Sequence, residues 1–354
     1  MMMQKSLFIH SLLLLISQIF VPCHSLIGNF KLPRMPWQNG PESTETLPDP
    51  SLNSLALQPG DTVAVIGASG NVGKLVALRL SDTYNVNGIV RDAASVESFF
   101  KGREDRIQLF EANLLDEMRK NSDGVSEPLL GSLENANAIV ICTGTTAFPT
   151  KAWTKSGEED VAGDVIQALL DNSFSVKESI LSLDEKGLNT PNNVDTKSNE
   201  FIIRLWNDVC KVGQKRVIML SSIGVQRRDS MPFPILNACG VLSAKAAGEK
   251  AIQNAAEENG YSYTIIRPGQ LFGGPYDNNY YLGTLFQLDK DAATQDIVVG
   301  RGDALLGDTL RSTLAEITAQ ICEGDCAKDM DFAVVNEKGE SPTAEAVQER
   351  LSTL

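Results

Sequence analysis

Histidine is almost missing from this 354-residue sequence, and basic residues are fewer than acidic ones. The only histidines, His10 and His24, lie in the first 25 residues, which we expect to be cleaved. A mature chain without imidazole excludes Ser–His–Asp catalysis, histidine general bases and histidine-ligated metals. Lys and Arg number 31 against 45 Asp and Glu, a formal charge of −14, which argues against nucleic-acid binding. Apolar residues make up 42% of the chain, enough to bury a large core.

The first 60 residues have the pattern of two targeting segments. Lys5 precedes an apolar stretch, and Cys23 and Ser25 place small residues before a cleavage site, so residues 1–25 are predicted to be a signal peptide. The alternative is a membrane anchor, but the stretch is short and interrupted, so we expect no stable transmembrane span after cleavage. Residues 26–60 are rich in proline and predict a transit or linker segment. The folded domain is then expected over residues 61–354.

The remaining cysteines do not have the pattern of a secreted protein. Removing Cys23 leaves five, an odd number without framework spacing, which predicts free thiols. Cys322 and Cys326 could pair or ligate a metal, but without histidine we predict no metal site. A signal peptide on a chain whose cysteines are free thiols resembles the bipartite presequences of algae with secondary plastids. This resemblance implies that the protein is located in the plastid (chloroplast) stroma. The alternatives are the lumen of the endoplasmic reticulum or secretion.

A glycine-rich turn opens the predicted domain. Residues 62–67 form a β-branched run that indicates a buried strand, and the sequence GASGNVG leads from it into a helical pattern. Such a turn lets backbone amides and a helix N-terminus approach a pyrophosphate, whereas the alternative is an ordinary strand–helix turn. The candidate phosphate-binding residues are Gly67, Ser69, Gly70, Asn71, Val72 and Gly73.

Short apolar runs continue to alternate with helical patterns along the chain. Beyond the first strand, further strands are predicted at residues 84–90, 106–110, 138–142, 215–220 and 262–266. A helix is predicted over residues 241–258 and ends before Gly260. This alternation predicts an α/β fold with a Rossmann-type, doubly wound parallel sheet, whose ligands bind at the carboxyl ends of the strands.

The motifs GASGNVG, CTGTTAFP, TPNNVD, SSIGV and YTIIRPGQLFGGPY occur in the order found in one family. The chain resembles the atypical short-chain dehydrogenase/reductases, in particular the NmrA-like and the plant and algal chloroplast NAD(P)-binding proteins. The resemblance implies a single Rossmann domain with a small C-terminal lobe on the substrate side. It also implies bound NADP(H) and either a small-molecule substrate or a protein partner.

The resemblance assigns cofactor contacts to several residues. Arg91 follows Val90, the position where an NAD site usually has an acid, and is expected to bind the 2′-phosphate of NADP(H). The alternative is a surface arginine paired with Asp92. The remaining expected cofactor contacts are Asn113, Leu114, Thr143, Gly144, Thr145, Lys245, Pro268 and Gly269.

The catalytic residues implied by the family are only partly present. Lys245 stands where the lysine of Tyr-x-x-x-Lys belongs, but Val241 replaces the tyrosine. Ser221 or Ser222 would orient a carbonyl, and Lys245 could instead pair with Glu249 on the helix surface. Tyr276, Tyr280 and Tyr281 are candidates for a displaced acid. Two hypotheses remain: an NADPH-dependent reductase, or a non-catalytic NADP(H)-binding sensor or assembly factor.

Residues 154–187 have the character of an acidic insertion. They contain eight acids against three lysines, and Val165, Leu169 and Leu170 could form one apolar face. We expect a solvated excursion, and the alternative is an element that docks a partner.

Overall fold

The computed structural model describes residues 56–120, 124–157, 159–273 and 293–354. The predicted signal peptide, most of the transit segment and the three candidate tyrosines Tyr276, Tyr280 and Tyr281 lie outside the described residues.

Six parallel strands form the first part of the sheet, and all six were predicted from the sequence within two residues of their bounds. They are β1 Thr62–Ile66, β2 Asn85–Val90, β3 Ile107–Glu111, β4 Ala138–Ile141, β5 Arg216–Leu220 and β6 Ser262–Pro268. The strands pair in the order β3-β2-β1-β4-β5-β6, so the winding direction reverses between β1 and β4. This confirms the predicted Rossmann-type sheet and puts its switch point at the carboxyl ends of β1 and β4.

Four further strands, which the sequence analysis did not predict, complete a ten-stranded sheet. They are β7 Gln270–Phe272, β8 Asp296–Arg301, β9 Asp308–Leu310 and β10 Met330–Glu337. β10 pairs parallel with β6 and antiparallel with β8 and β9, and β7 pairs parallel with β9. The C-terminal part of the chain therefore extends the same sheet as a small mixed region.

The helices cover both faces of the sheet. Their bounds are α1 Gly73–Leu80, α2 Ala94–Glu97, α3 Leu114–Glu117, α4 Glu127–Glu134, α5 Ala162–Asp171, α6 Val176–Glu185, α7 Ser198–Val209, α8 Phe233–Leu236, α9 Val241–Asn259, α10 Arg311–Glu323 and α11 Ala344–Ser352. Val63 and Val65 of β1 pack with α1, α10 and α11, whereas Ala64 and Ile66 pack with α4, α7 and α9. This alternation along one strand is that of a doubly wound fold. The predicted helix over residues 241–258 is confirmed as α9, which ends at Gly260 with φ +76°.

The acidic insertion contains a helical hairpin, and six of its eight acids are exposed, in agreement with the expected solvated excursion. α5 and α6 pack on each other around Ala168 and Leu183, together with Trp153, Leu188 and Cys239 from outside the hairpin. Asp184 is buried at its base and accepts hydrogen bonds from Thr190 and Asn192. The apolar inner faces of the two helices supply the packing energy that the charge pattern did not reveal.

The described residues contain no helix long and apolar enough to cross a membrane. Within the same ranges, no three His, Cys, Asp or Glu side chains come together as a set of metal ligands. The five cysteines outside the predicted signal peptide are all free thiols, namely Cys142, Cys210, Cys239, Cys322 and Cys326.

Candidate functional site

The glycine-rich turn connects β1 to α1 and needs glycine for steric reasons. Gly67 has φ +82°, a backbone conformation that side chains disfavour. A Cβ at Gly73 would lie 2.1 Å from the carbonyl oxygen of Gly67, so only glycine lets the helix begin this close to the turn. The amides of Lys74 and Val76 donate to the carbonyl oxygens of Gly70 and Val72, so the partial positive charge of the helix N-terminus, more than free amides, favours an anion here. The turn therefore has the geometry predicted for binding a pyrophosphate.

The other residues of this turn differ in what they expose. Ser69 and Asn71 are half-buried and Gly70 is exposed, whereas Val72 is buried in the core beside α1. A bound phosphate could therefore reach the side chains of Ser69 and Asn71 but only the backbone of Val72.

The loop after β4 lies directly against this turn. A Cβ at Gly67 would be 3.0 Å from Cγ2 of Thr143, and one at Gly144 would be 3.3 Å from Nζ of Lys245. The Thr145 hydroxyl donates to the carbonyl oxygen of Asn189 at 2.9 Å. The structure thus brings together Gly67, Thr143, Gly144 and Lys245 at the switch point, as the sequence analysis expected.

Lys245 is buried and forms an ion pair with Asp195. Its Nζ lies 2.7 Å from Oδ1 of Asp195, a residue that is 0% exposed. Burial raises the pKa of the Asp195 carboxyl above its ordinary value, and the Lys245 ammonium and the Thr145 amide offset part of that rise. The alternative surface pair of Lys245 with Glu249 is wrong, because each of the two side chains bonds another partner.

Ser221 belongs to a buried hydrogen-bonded network. Its hydroxyl lies 2.5 Å from Oε1 of Glu249, whose carboxylate also accepts two bonds from Arg267, at 3.0 Å and 2.6 Å. Arg267 in turn bonds Asp331. Burial alone would lower the pKa of Arg267, but the carboxylates of Glu249 and Asp331 raise it. These contacts favour a structural role for Ser221, and its catalytic role stays a prediction.

Ser222 differs from its neighbour. It is half-buried, and its hydroxyl bonds only the adjacent Ile223 carbonyl oxygen, at 2.9 Å. Such a bond is easily exchanged for one to a ligand. Of the two serines, Ser222 is the one whose hydroxyl can more easily orient a substrate.

Val241 packs in an apolar cluster instead of standing at the site as a tyrosine would. It is 5% exposed and contacts Val225, Phe233 and Leu242. Phe233 also lies under the guanidinium of Arg227, at 4.7 Å from the ring centre. The position one turn before Lys245 therefore supplies packing and no acid.

Arg91 and Asn113 lie at the ends of the neighbouring strands β2 and β3. Arg91 is exposed, and its guanidinium donates to the carbonyl oxygen of Lys155 at 3.2 Å, not to Asp92. Asn113 caps α3: its side-chain oxygen accepts from the amide of Leu115, and its nitrogen donates to Asp116. Leu114 packs against the core at its side. Asn113 thus has a local role that competes with the expected contact to the cofactor.

Gly269 has a packing role that the sequence did not reveal. A Cβ there would be 2.0 Å from the carbonyl oxygen of Gly307, and its amide donates to Thr309 at 2.8 Å. The preceding Pro268 is buried and accepts a bond from the amide of Ile223. These contacts fix the chain where β6 ends, beside the loop that carries Ser222.

Sequence reasoning missed Asp195 and Glu249 as members of the site and of its supporting network. Asp195 was visible in the motif TPNNVD, and it lies 50 positions before Lys245. Glu249 was visible only as a helical neighbour of Lys245. Neither the motif nor the helical spacing predicts which group a buried carboxylate will bond.

Comparison with known proteins agrees with this geometry. The model of an NAD(P)H-binding family matches residues 67–299. A protein described as an NAD-dependent epimerase/dehydratase from Bacillus halodurans is 17% identical and has a TM-score of 0.52, covering 82% of this chain and 100% of its own. The oxidoreductase ylbE from Lactococcus lactis is 16% identical with a TM-score of 0.51, covering 83% and 96%.

At these identities the two structures show the fold alone, and the comparison with curated protein sequences found no match. The family model, however, spans most of the described sheet, from the glycine-rich turn to β8. It agrees with the resemblance to the atypical short-chain dehydrogenase/reductases that the motifs implied. This chain belongs to the NAD(P)H-binding family, with the Rossmann fold of the oxidoreductases it resembles.

Proposed function

We propose that the protein is an NADPH-dependent oxidoreductase that acts on a small carbonyl substrate. The observation that carries the proposal is the buried pair of Lys245 and Asp195 beside Gly144, next to the turn at Gly67. Burying a lysine beside a dinucleotide site costs free energy, because burial disfavours the charged ammonium. Such a lysine is therefore expected to have a binding role. Binding the hydroxyls of a nicotinamide ribose is a task that fits its position.

Arg91 supports a preference for NADPH over NADH. Its exposed guanidinium follows β2, and its bond to the Lys155 carbonyl keeps it at the edge of the turn. Lys155 is also exposed, so the segment that Arg91 contacts carries a second positively charged side chain. A 2′-phosphate here would receive charge-assisted hydrogen bonds that NADH cannot form.

In this proposal the bound nicotinamide supplies the hydride, and the chain only binds and orients. Lys245 donates to the ribose, the N-terminus of α1 holds the pyrophosphate, and the Ser222 hydroxyl orients the carbonyl. Val241 has no exchangeable proton, so water or a displaced tyrosine would supply the proton that completes the reduction.

The proposal is tested by titrating NADPH and NADH against the purified protein and by assaying a panel of small aldehydes and ketones. Lys245→Met should weaken NADPH binding by roughly 10-fold or more, the loss of a hydrogen bond from a charged group. Lys250→Met is the matched control, because Lys250 is an exposed lysine on the same helix. Equal effects of the two substitutions, or no binding of either nucleotide to the wild type, would contradict the proposal.

A second candidate, a non-catalytic NADP(H)-binding assembly factor, is favoured by the outer face of the hairpin. Ile166, Leu170 and Phe174 follow each other at intervals of four residues and are 38%, 54% and 71% exposed. Ile166 and Leu170 lie one turn apart on α5, and Phe174 lies in the turn that follows this helix. Isolated exposed apolar residues are ordinary, but several close together favour a surface that a partner covers. The acids around these residues favour a basic partner.

This candidate is tested by substituting Leu170→Gln and Phe174→Asn together, with Leu306→Gln as a control at an exposed leucine outside the hairpin. A partner of an assembly factor should be retained by the wild type and the control and lost by the double variant. In addition, the protein should reduce no carbonyl of the panel. Turnover that is unaffected by the double variant would favour the oxidoreductase.

We also propose that the protein resides in the plastid stroma. The support is the signal-like leader, the proline-rich segment after it and the five free thiols. A fluorescent fusion of residues 1–60 should label the plastid. Secretion of the fusion, or its retention in the endoplasmic reticulum, would contradict this proposal.

A further inference from the structure

Asp195 is fixed against helix α9 by unusual local backbone structure. It lies in one π-helical turn, Asn192–Lys197, directly before α7. Such turns are rare and frequently occur at functional sites. The next residue, Thr196, donates its hydroxyl to the Ala244 carbonyl oxygen at 3.0 Å, and the side chain of Asn199 donates to the carbonyl oxygen of Asp195 at 2.9 Å. The backbone around Asp195 is therefore held on both sides.

The close approach of this turn to α9 depends on Gly248. A Cβ at Gly248 would lie 2.2 Å from the carbonyl oxygen of Asp195, so any larger residue would push the π-turn away. Gly248 follows Lys245 by three positions and therefore lies on a neighbouring part of the same helix surface. The chain thus combines a glycine, a π-turn and a buried acid to bring one carboxylate to the lysine.

The protein pairs only one oxygen of the Asp195 carboxylate within normal hydrogen-bond geometry. Oδ1 lies 2.7 Å from Nζ of Lys245, and the Thr145 amide is close enough to lower the pKa of the carboxyl, but Oδ2 is buried and has no hydrogen-bond partner among the described residues. A buried charge with an unpaired oxygen is unfavourable and is retained where it has a role. A merely structural pair would be expected to satisfy both oxygens, as Glu249 does with Arg267 and Ser221.

The other charged groups on the packed elements are directed elsewhere or exposed. Glu249 on α9 bonds Ser221 and Arg267, and Lys197 of the π-turn bonds the side chain of Asn193. Glu200 on α7 and Lys250 on α9 are exposed. In the part of the chain that the structure describes, Asp195 is therefore the counter-ion on which Lys245 depends.

We propose that Asp195 is a positioning residue, which holds the charged end of Lys245 beside Gly144 so that the ammonium can bind the ribose of the cofactor. This inference rests on the proposed function, because it assumes that a nicotinamide nucleotide occupies the site. In a Tyr-x-x-x-Lys site the phenol and the ammonium orient each other one helical turn apart. Here Val241 cannot do so, and a carboxylate from another element takes over the orientation.

The test compares NADPH binding by the wild type and by Asp195→Asn at several pH values. A buried ammonium without its counter-ion is less stable relative to the neutral amine. The wild type should bind NADPH with nearly constant affinity between about pH 7.5 and about pH 9, a range in which the 2′-phosphate stays ionised. Asp195→Asn should lose roughly 10-fold or more in affinity over the same range as the pH rises. Glu200→Gln, an exposed carboxylate on α7, is the matched control and should behave as the wild type does.

A double-mutant cycle keeps the test valid if Asp195→Asn folds poorly. Removing both charges with Asp195→Asn and Lys245→Met leaves no unpaired ion, so the double variant should fold. The Asp195 substitution should then have no further effect on NADPH binding in the Lys245→Met background. A further loss there, or a loss in Asp195→Asn that is the same at every pH, would mean a structural role and overturn the inference. If the wild type binds NADPH and Asp195→Asn binds it equally well, the inference about Asp195 is overturned but the proposed function stands. If the wild type does not bind NADPH, the proposed function is overturned as well.

Discussion

Replacing Ser221 by alanine separates the structural role that its contacts favour from the catalytic role that the sequence implied. The substitution removes the hydroxyl that lies 2.5 Å from Oε1 of Glu249, inside a network that is almost fully buried. The backbone amide of Ser221 still donates to the carbonyl oxygen of Ile266, so β5 stays paired. Ser221→Ala therefore deletes one side-chain bond and little else.

The expected loss of stability follows from the partners that remain. A hydrogen bond to a charged group contributes about 1.5–3 kcal/mol, and leaving a buried carboxylate unpaired would cost more. Glu249 keeps its two bonds from Arg267, so its charge stays paired. We therefore expect Ser221→Ala to lower the free energy of unfolding by about 1–2 kcal/mol.

The measurement is urea denaturation followed in parallel with NADPH binding and carbonyl reduction. Ser221→Ala should shift the denaturation midpoint while binding and turnover stay at the wild-type level. Ser222→Ala should do the opposite, because its hydroxyl bonds only the neighbouring carbonyl oxygen. If Ser221→Ala keeps full stability but loses turnover, its hydroxyl acts on substrate and the assignment made from the structure is refuted.

Three other substitutions test separate parts of the site. Arg91→Ala should reduce the preference for NADPH over NADH by roughly 1.5–3 kcal/mol in parallel titrations, and an unchanged preference would mean that another residue binds the 2′-phosphate. Gly73→Ala should weaken NADPH binding and lower the melting temperature, because its Cβ would meet the Gly67 carbonyl oxygen at 2.1 Å; Gly163→Ala, with nothing within 4 Å, is the control and should do neither. Val241→Tyr should cost about 1–3 kcal/mol by overpacking its apolar cluster and should add no carbonyl reduction, whereas new activity would show that the pocket reaches this position.

The parts of the fold that the sequence predicted are those encoded locally. The strand before Gly67 and the helix after Gly73 are marked by β-branched residues, glycine spacing and helical periodicity within 20 residues. The end of α9 at Gly260 is marked by a single residue that readily adopts positive φ. Such signals need no knowledge of the rest of the chain.

The features that the sequence did not predict depend on distant partners. β7 and β9 are only three residues each and form because they pair with each other and because β9 also pairs with β10. The charge of the insertion predicted the solvated outer face, but the packing of its inner face depends on Trp153 and Cys239, which lie outside the hairpin. Short strands and amphipathic hairpins become definite only when their tertiary partners are known.

Helix α9 shows why local pattern was misleading at the site itself. Lys245 and Glu249 stand one turn apart with opposite charge, which on a solvated helix predicts a weak pair. Both are buried, and a buried charge needs more hydrogen bonds than one neighbour on its own helix can give. Glu249 obtains three, two from a guanidinium on β6 and one from the hydroxyl of Ser221, and Lys245 obtains a carboxylate from the π-turn. Burial thus divides one helix face into a lysine that pairs with Asp195 beside Gly144 and a glutamate that bonds residues at the ends of β5 and β6.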